Sequence, residues 1–177
     1  MREINVKPKA IILENEGRNT APAVALGAIK ALEEEQEDPL LLILSADHII
    51  RDLNIFSKVL QQGFESALEN NLVTFGIIPT HPETGYGYIE SEFVLDKNNI
   101  KGSRIKRFIE KPNKELAQKL YKSKKYTWNS GMFVFKNSLI IKELNTHAPL
   151  VLESCKKALS RSLNDLDFIR IHGASFY

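Results

Sequence analysis

The chain has one cysteine, Cys155, among 177 residues. That excludes an internal disulfide and a cysteine-built metal cluster. No apolar run approaches the length of a membrane span, and the first residues lack the apolar centre of a signal peptide. A soluble cytoplasmic protein with no membrane partner is the default expectation. An excess of one charge is missing too. The net charge is +2, too small to argue for a nucleic-acid partner. No second His or Cys lies at metal-ligand spacing from His48, which disfavours zinc. The GxGxxG fingerprint is absent, which weakens a generic dinucleotide-binding reading.

What is present is ordinary globular material, 43% hydrophobic and 26% charged, enough for one domain with a core. The most telling stretch is Leu40–Leu44, five aliphatic residues in a row, followed by Ser45, Ala46 and Asp47. A run of this kind suits a strand buried on both faces, as in a parallel sheet. Strands are expected at Ala10–Leu13 and Leu72–Ile78, with helices at Ala21–Glu35 (Thr20 as N-cap) and from Asp52 onward. That alternation is the signature of βαβ units. Beyond Ile78 the pattern changes. Strands are expected at Tyr86–Glu90, Ile105–Ile109, Met132–Phe135 and Asp167–Ile171, and helices at Lys114–Lys122, Ser138–Asn145 and Leu150–Leu163. Asp96–Asn99 reads as a turn, and His172–Tyr177 fits no element. Cys155 lies on a helical pattern and reads as a buried or half-buried structural thiol.

Polar clusters lie at the ends of these strands. Glu14 and Arg18-Asn19-Thr20 lie at a helix start, where free N–H groups suit a base, ribose or phosphate; an ordinary helix cap is the alternative. Asp47 follows the aliphatic run. It either holds a divalent cation near phosphate oxygens or caps the next helix or turn. Thr84-Gly85-Tyr86-Gly87-Tyr88 lets the backbone approach a ligand or make a tight turn. Glu110-Lys111-Pro112 ends a strand with opposite charges, suited to sugar hydroxyls and a phosphate, or forms a plain exposed ion pair. In Trp128-Asn129-Ser130-Gly131 an amide could read a hydroxylated ring, although a turn is the simpler reading.

Together and in this order, GRNTAPA (Gly17–Ala23), SADH (Ser45–His48), TGYGYI (Thr84–Ile89), FIEKP (Phe108–Pro112) and WNSGMFVF (Trp128–Phe135) resemble one family. It is the bacterial mannose-1-phosphate guanylyltransferases, of the bifunctional type joined to a phosphomannose isomerase. The resemblance runs from about Ile11 to about Arg170 and implies an α/β fold of the nucleotide-diphospho-sugar transferase kind, with a mixed, mainly parallel sheet. It implies a nucleotide-binding part at 10–78 and a sugar-phosphate part at 79–171. The implied activity is formation of GDP-mannose and pyrophosphate from GTP and mannose 1-phosphate, with Mg2+ as cofactor. Glu14, Arg18, Asn19 and Thr20 would then meet the nucleotide, and Asp47 the magnesium. Gly87, Glu110 and Asn129 would contact the sugar, and Lys111 its phosphate.

Two of the family's features are not in the sequence: the strand and loop of form GGxGTRLWP, and a second metal-binding Asp followed by Tyr. A central strand is therefore expected to be missing from the sheet, leaving a compromised monomer completed by a second copy or a complementing chain. Little activity is expected from this polypeptide alone. A non-catalytic sugar-phosphate-binding or regulatory subunit is the alternative.

Overall fold

The structure, a computed structural model, describes residues 6–34, 37–94 and 100–175. The turn expected at Asp96–Asn99 lies outside them. The chain divides into two compact units. One joins Met1–Pro39 to Asn137–Tyr177, and the other is the continuous stretch Leu40–Lys136.

The first unit contains β1 (Ile11–Leu13) and α1 (Thr20–Glu34). Its later part supplies α4 (Asn137–His147), α5 (Pro149–Ser160), β7 (Leu163–Asp165), β8 (Phe168–Arg170) and a single 3₁₀ turn at Gly173–Ser175. β1 pairs in parallel with β8, and β8 pairs with β7 in a hairpin. α1 begins at Thr20 itself rather than after it, with Pro22 in the first turn, where its missing N–H costs nothing. Its apolar face, including Ala25 and Leu26, packs with Leu144, Leu152, Cys155, Ala158 and Ile171. Asn137, fully buried, donates from Nδ2 to the carbonyl of Ala28. Cys155 is buried, as its helical pattern suggested.

The second unit contains β2 (Leu40–Ile43), α2 (Leu53–Leu68), β3 (Val73–Ile77), β4 (Tyr88–Ser91), β5 (Ile105–Ile109), α3 (Lys114–Ser123) and β6 (Tyr126–Lys136). Both leading helices are capped as their sequences suggest. Asp52 accepts from the N–H of Ile55, and Asn113 from that of Leu116, each at 2.9 Å. α2 lays Phe56, Val59, Leu60 and Ala67 over Phe75, Met132 and Val134. α3 packs Ala117 and Leu120 against Tyr88, Tyr126 and Trp128.

The α/β class holds, but the expected mainly parallel pairing does not. All pairs in the second unit's sheet are antiparallel, and the one parallel pair among the described residues is β1 with β8. β2 and β3 do run in the same direction, as a βαβ unit requires, because each is antiparallel to β6. The eleven-residue β6 lies between them, taking β2 on its Phe133–Lys136 half and β3 along Trp128–Val134. β2 is consequently half-buried and terminal in its sheet, not sealed on both faces. β6 also returns residues 126–136 to the second unit, so the compact units do not coincide with the expected parts at 10–78 and 79–171. β1 is likewise terminal in its own sheet.

Candidate functional site

The register across β5, β4 and β6 builds the densest polar feature. Tyr88 stands opposite both Ile109 and Trp128, and all three side chains enter the core against α3. Side chains alternate faces along strands, so the next row points the other way. That row is Glu110, Gly87 and Asn129. The N–H of Asn129 donates to the carbonyl of Gly87 at 2.8 Å. A Cβ built on Gly87 would lie 2.8 Å from Glu110 Oε2 and 2.6 Å from the end of the Phe108 ring. The missing Cβ of Gly87 is thus what lets the Phe108 ring end and the Glu110 carboxylate lie over β4, between strands β5 and β6 that are about 10 Å apart, at two ordinary strand spacings. Gly76 extends the row on β3, opposite Asn129.

The approach to Gly87 is tied down. Tyr88 Oη donates to the carbonyl of Glu83 at 2.8 Å and accepts from its N–H at 2.9 Å. Glu83 Oε1 accepts from the N–H groups of Thr84 and Gly85. These bonds, first that from Gly85, then His81, then Thr84, hold the Glu83 carboxyl below its usual range. His81 and Tyr86 set ring edges against Trp128, with centroids 5.0 and 5.2 Å away.

Lys111 follows Glu110 at the end of β5. Its ammonium is 3.8 Å from Glu110 Oε1, and both side chains are well exposed. Its backbone is left-handed, with φ 41°, a conformation costing a non-glycine residue roughly 1–2 kcal/mol. Asp47 lies in an exposed turn beyond β2, with its side chain 88% accessible and His48 Nε2 3.9 Å away. It does not cap α2, since Asp52 does. The loop that carries it passes the same stretch of β6, because Ser45 Oγ is 3.7 Å from the Cβ position of Gly131. Among the described residues no three or more His, Cys, Asp or Glu side chains gather as a metal cage.

The remaining predicted residues are in the first unit. Glu14 follows β1. Its Oε1 is sealed from solvent without a hydrogen-bond partner, and desolvation raises its pKa. Burial first, and then the charge of Glu14, push the Cys155 thiol up to about 11. Its sulfur lies 3.7 Å from the carbonyl of Pro22 in the first turn of α1. Glu14 and the α1 start are therefore neighbours of one buried thiol. Arg18 meets Glu16 at 3.2 Å, and Asn19 is left-handed at φ 63° immediately before Thr20 opens α1.

The Nucleotidyl transferase family model matches residues 2–173. The chain belongs to that family. It is 46% identical over 177 residues to the mannose-1-phosphate guanylyltransferase RfbM of Salmonella typhimurium, covering 99% of this chain and 36% of that one. It is 43% identical over 178 residues to the mannose-1-phosphate guanylyltransferase of Escherichia coli K12, covering 99% of this chain and 37% of the relative. The chain thus spans little more than a third of the length of these relatives. The crystal structure of a mannose-6-phosphate isomerase from Helicobacter pylori superposes with a TM-score of 0.78 at 34% identity, over 94% of this chain and 62% of that one. Among the described residues no helix is long and apolar enough to cross a membrane.

Two features escaped the sequence. Trp128–Gly131 reads locally as a turn, yet the four residues lie inside β6, which pairs with other strands on its flanks and bends at Gly131. Thr74 gave no signal beyond a lone hydroxyl in an apolar strand. In the fold its Oγ1 is 3.0 Å from Asn129 Oδ1.

Proposed function

We propose that this chain carries the sugar-phosphate and nucleotide contacts of a mannose-1-phosphate guanylyltransferase, which forms GDP-mannose and pyrophosphate from GTP and mannose 1-phosphate. The row Glu110–Gly87–Asn129, with Lys111 beside it, carries this reading. A carboxylate accepts from sugar hydroxyls, a carboxamide donates to or accepts from them, and an ammonium meets a phosphate as a point charge. In this reading Gly87, Glu110 and Asn129 hold the mannose, and Lys111 its phosphate. Glu14, Arg18, Asn19 and Thr20 hold the nucleotide.

Nucleotidyl transferases of this family generally work with a divalent metal. Asp47 fits as the one protein ligand of a magnesium ion, since magnesium is usually held by one or two carboxylates with phosphate oxygens and water. The exposed turn and the lack of a three-ligand cage among the described residues agree with that division. Bound there, the ion would neutralise phosphate charge. The chain's own residues position the reactants, which is most of what phosphoryl-transfer catalysis asks of a protein.

The test is a titration of the chain with mannose 1-phosphate, glucose 1-phosphate, GTP and ATP, followed by amide NMR. Saturable shifts at Gly87, Glu110, Lys111 and Asn129 with mannose 1-phosphate are expected. Shifts confined elsewhere, or none, overturn the reading. Turnover by these 177 residues alone is expected to be negligible. They contain no GGxGTRLWP loop, and losing one oriented charge-stabilising group costs about 3 kcal/mol. A non-catalytic sugar-phosphate-binding role is the second reading, since Glu110, Gly87, Asn129 and Lys111 could bind a sugar phosphate without turning it over. Adding the separately made N-terminal segment of a relative decides between them: turnover supports the enzyme, and binding without turnover supports the subunit.

A further inference from the structure

The orientation of one carboxamide is set from outside the row. Asn129 Oδ1 accepts from Thr74 Oγ1 at 3.0 Å and from the N–H of Gly131 at 3.3 Å. A main-chain N–H can only donate, so the atom facing Gly131 must be the amide oxygen. The amide nitrogen therefore faces away, and it has no acceptor among the described residues.

Thr74 is itself anchored. Its hydroxyl is also 3.0 Å from the carbonyl of Met132, so one proton serves two acceptors. The three contacts close around an irregularity in β6. On β3, Thr74 pairs with Phe133 and Gly76 with Asn129, so β6 carries two extra residues across that interval. Gly131, at φ 71°, makes the bend. The irregularity brings the N–H of Gly131 and the carbonyl of Met132 to the same place, and Thr74 ties the two to the Asn129 side chain.

We propose that Thr74 is a positioning residue, turning the Asn129 carboxamide so that Nδ2 is presented as a hydrogen-bond donor on the row beside Gly87 and Glu110. The inference rests on the sugar-phosphate reading for the identity of the acceptor, a sugar hydroxyl. The row then offers an oriented donor on one side of Gly87 and the Glu110 carboxylate as an acceptor on the other. A rotated amide would set two acceptors against the ligand. A substrate with a correctly directed hydroxyl is favoured over one that presents only donors.

The test compares Thr74→Val, which removes the hydroxyl at similar volume, with Thr74→Ser, which keeps it. Asn129→Asp assigns the side-chain amide resonance by its disappearance. In Thr74→Val the Asn129 amide group is expected to lose order in its heteronuclear NOE, with mannose 1-phosphate affinity down about tenfold. Thr74→Ser is expected to stay within about twofold. Asn129→Ala added to Thr74→Val is expected to cost little more, because both changes remove one interaction. A folded Thr74→Val that keeps both the ordered amide and the affinity overturns the proposal, as does full additivity of the pair. If the unaltered chain binds no sugar phosphate, the functional reading falls, while the order of the amide in Thr74→Val still decides what Thr74 does.

Discussion

Adding one methyl group at Gly87 should separate the site from the fold. In Gly87→Ala the new Cβ would lie 2.6 Å from the Phe108 ring and 2.8 Å from Glu110 Oε2, closer than real carbon contacts allow. Both obstacles are the far ends of side chains that can swing. Phe108 is 48% accessible, and the Glu110 side chain is 57% accessible. Displacing each costs about 0.5–1.5 kcal/mol, and replacing glycine by alanine returns about 0.4–1 kcal/mol by restricting the unfolded chain. Stability should therefore fall by no more than about 2.5 kcal/mol. The carboxylate, however, is pushed off its place over Gly87. A hydrogen bond to a charged group contributes about 1.5–3 kcal/mol, so affinity for mannose 1-phosphate should fall roughly tenfold to a hundredfold. Chemical denaturation gives the first quantity and isothermal titration the second. Undiminished affinity in a folded variant would refute the role of the row in binding, and collapse of the fold would refute the claim that only mobile groups obstruct the new methyl.

Gly76→Ala should show the opposite balance, because its Cβ would collide with the side chain of Thr127, which is buried. A stability loss of about 1–3 kcal/mol in denaturant melts is expected. Lys111→Gly should leave the melting temperature unchanged or raise it, since glycine adopts the left-handed backbone freely, while weakening sugar-phosphate binding; a marked drop in melting temperature contradicts it. Glu83 titrates below its usual value in the folded state. Its contribution is present at neutral pH and is lost as pH falls from the ordinary value of 4.5 through the lower folded one. Acid melts of Glu83→Gln should accordingly be flatter than wild type below pH 4.5, and parallel curves would contradict the loop lock.

Local chemistry was legible wherever its cause was local. Asp52 and Asn113 cap the helices they precede because a short acceptor three residues before an N–H needs nothing else from the fold. β2, β3 and β5 were visible as apolar or alternating runs. The polar row was visible only as letters, since its convergence depends on register between strands nearly forty residues apart. Asn129-Ser130-Gly131 carries turn chemistry, and nothing nearby reveals the paired strands that keep it inside β6. The same blindness hid the antiparallel pairing, because βαβ alternation shows that β2 and β3 run alike and not that another strand lies between them. At the other end, the helix expected to reach Leu163 stops at Ser160, and Leu163–Asp165 turns back on β8 through a left-handed Leu166.

The position of β6 has a consequence for biosynthesis. Leu40–Ile43 leaves the ribosome long before Phe133–Lys136, the strand segment it must pair with, has been translated. At about 5–20 residues per second, an aliphatic ribbon with no mate emerges several seconds ahead of its cover. Val73–Ile77 waits for the same late arrival. The nascent chain is thus most sticky over that interval, and holdase engagement or pausing there would govern yield more than the stability of the finished molecule.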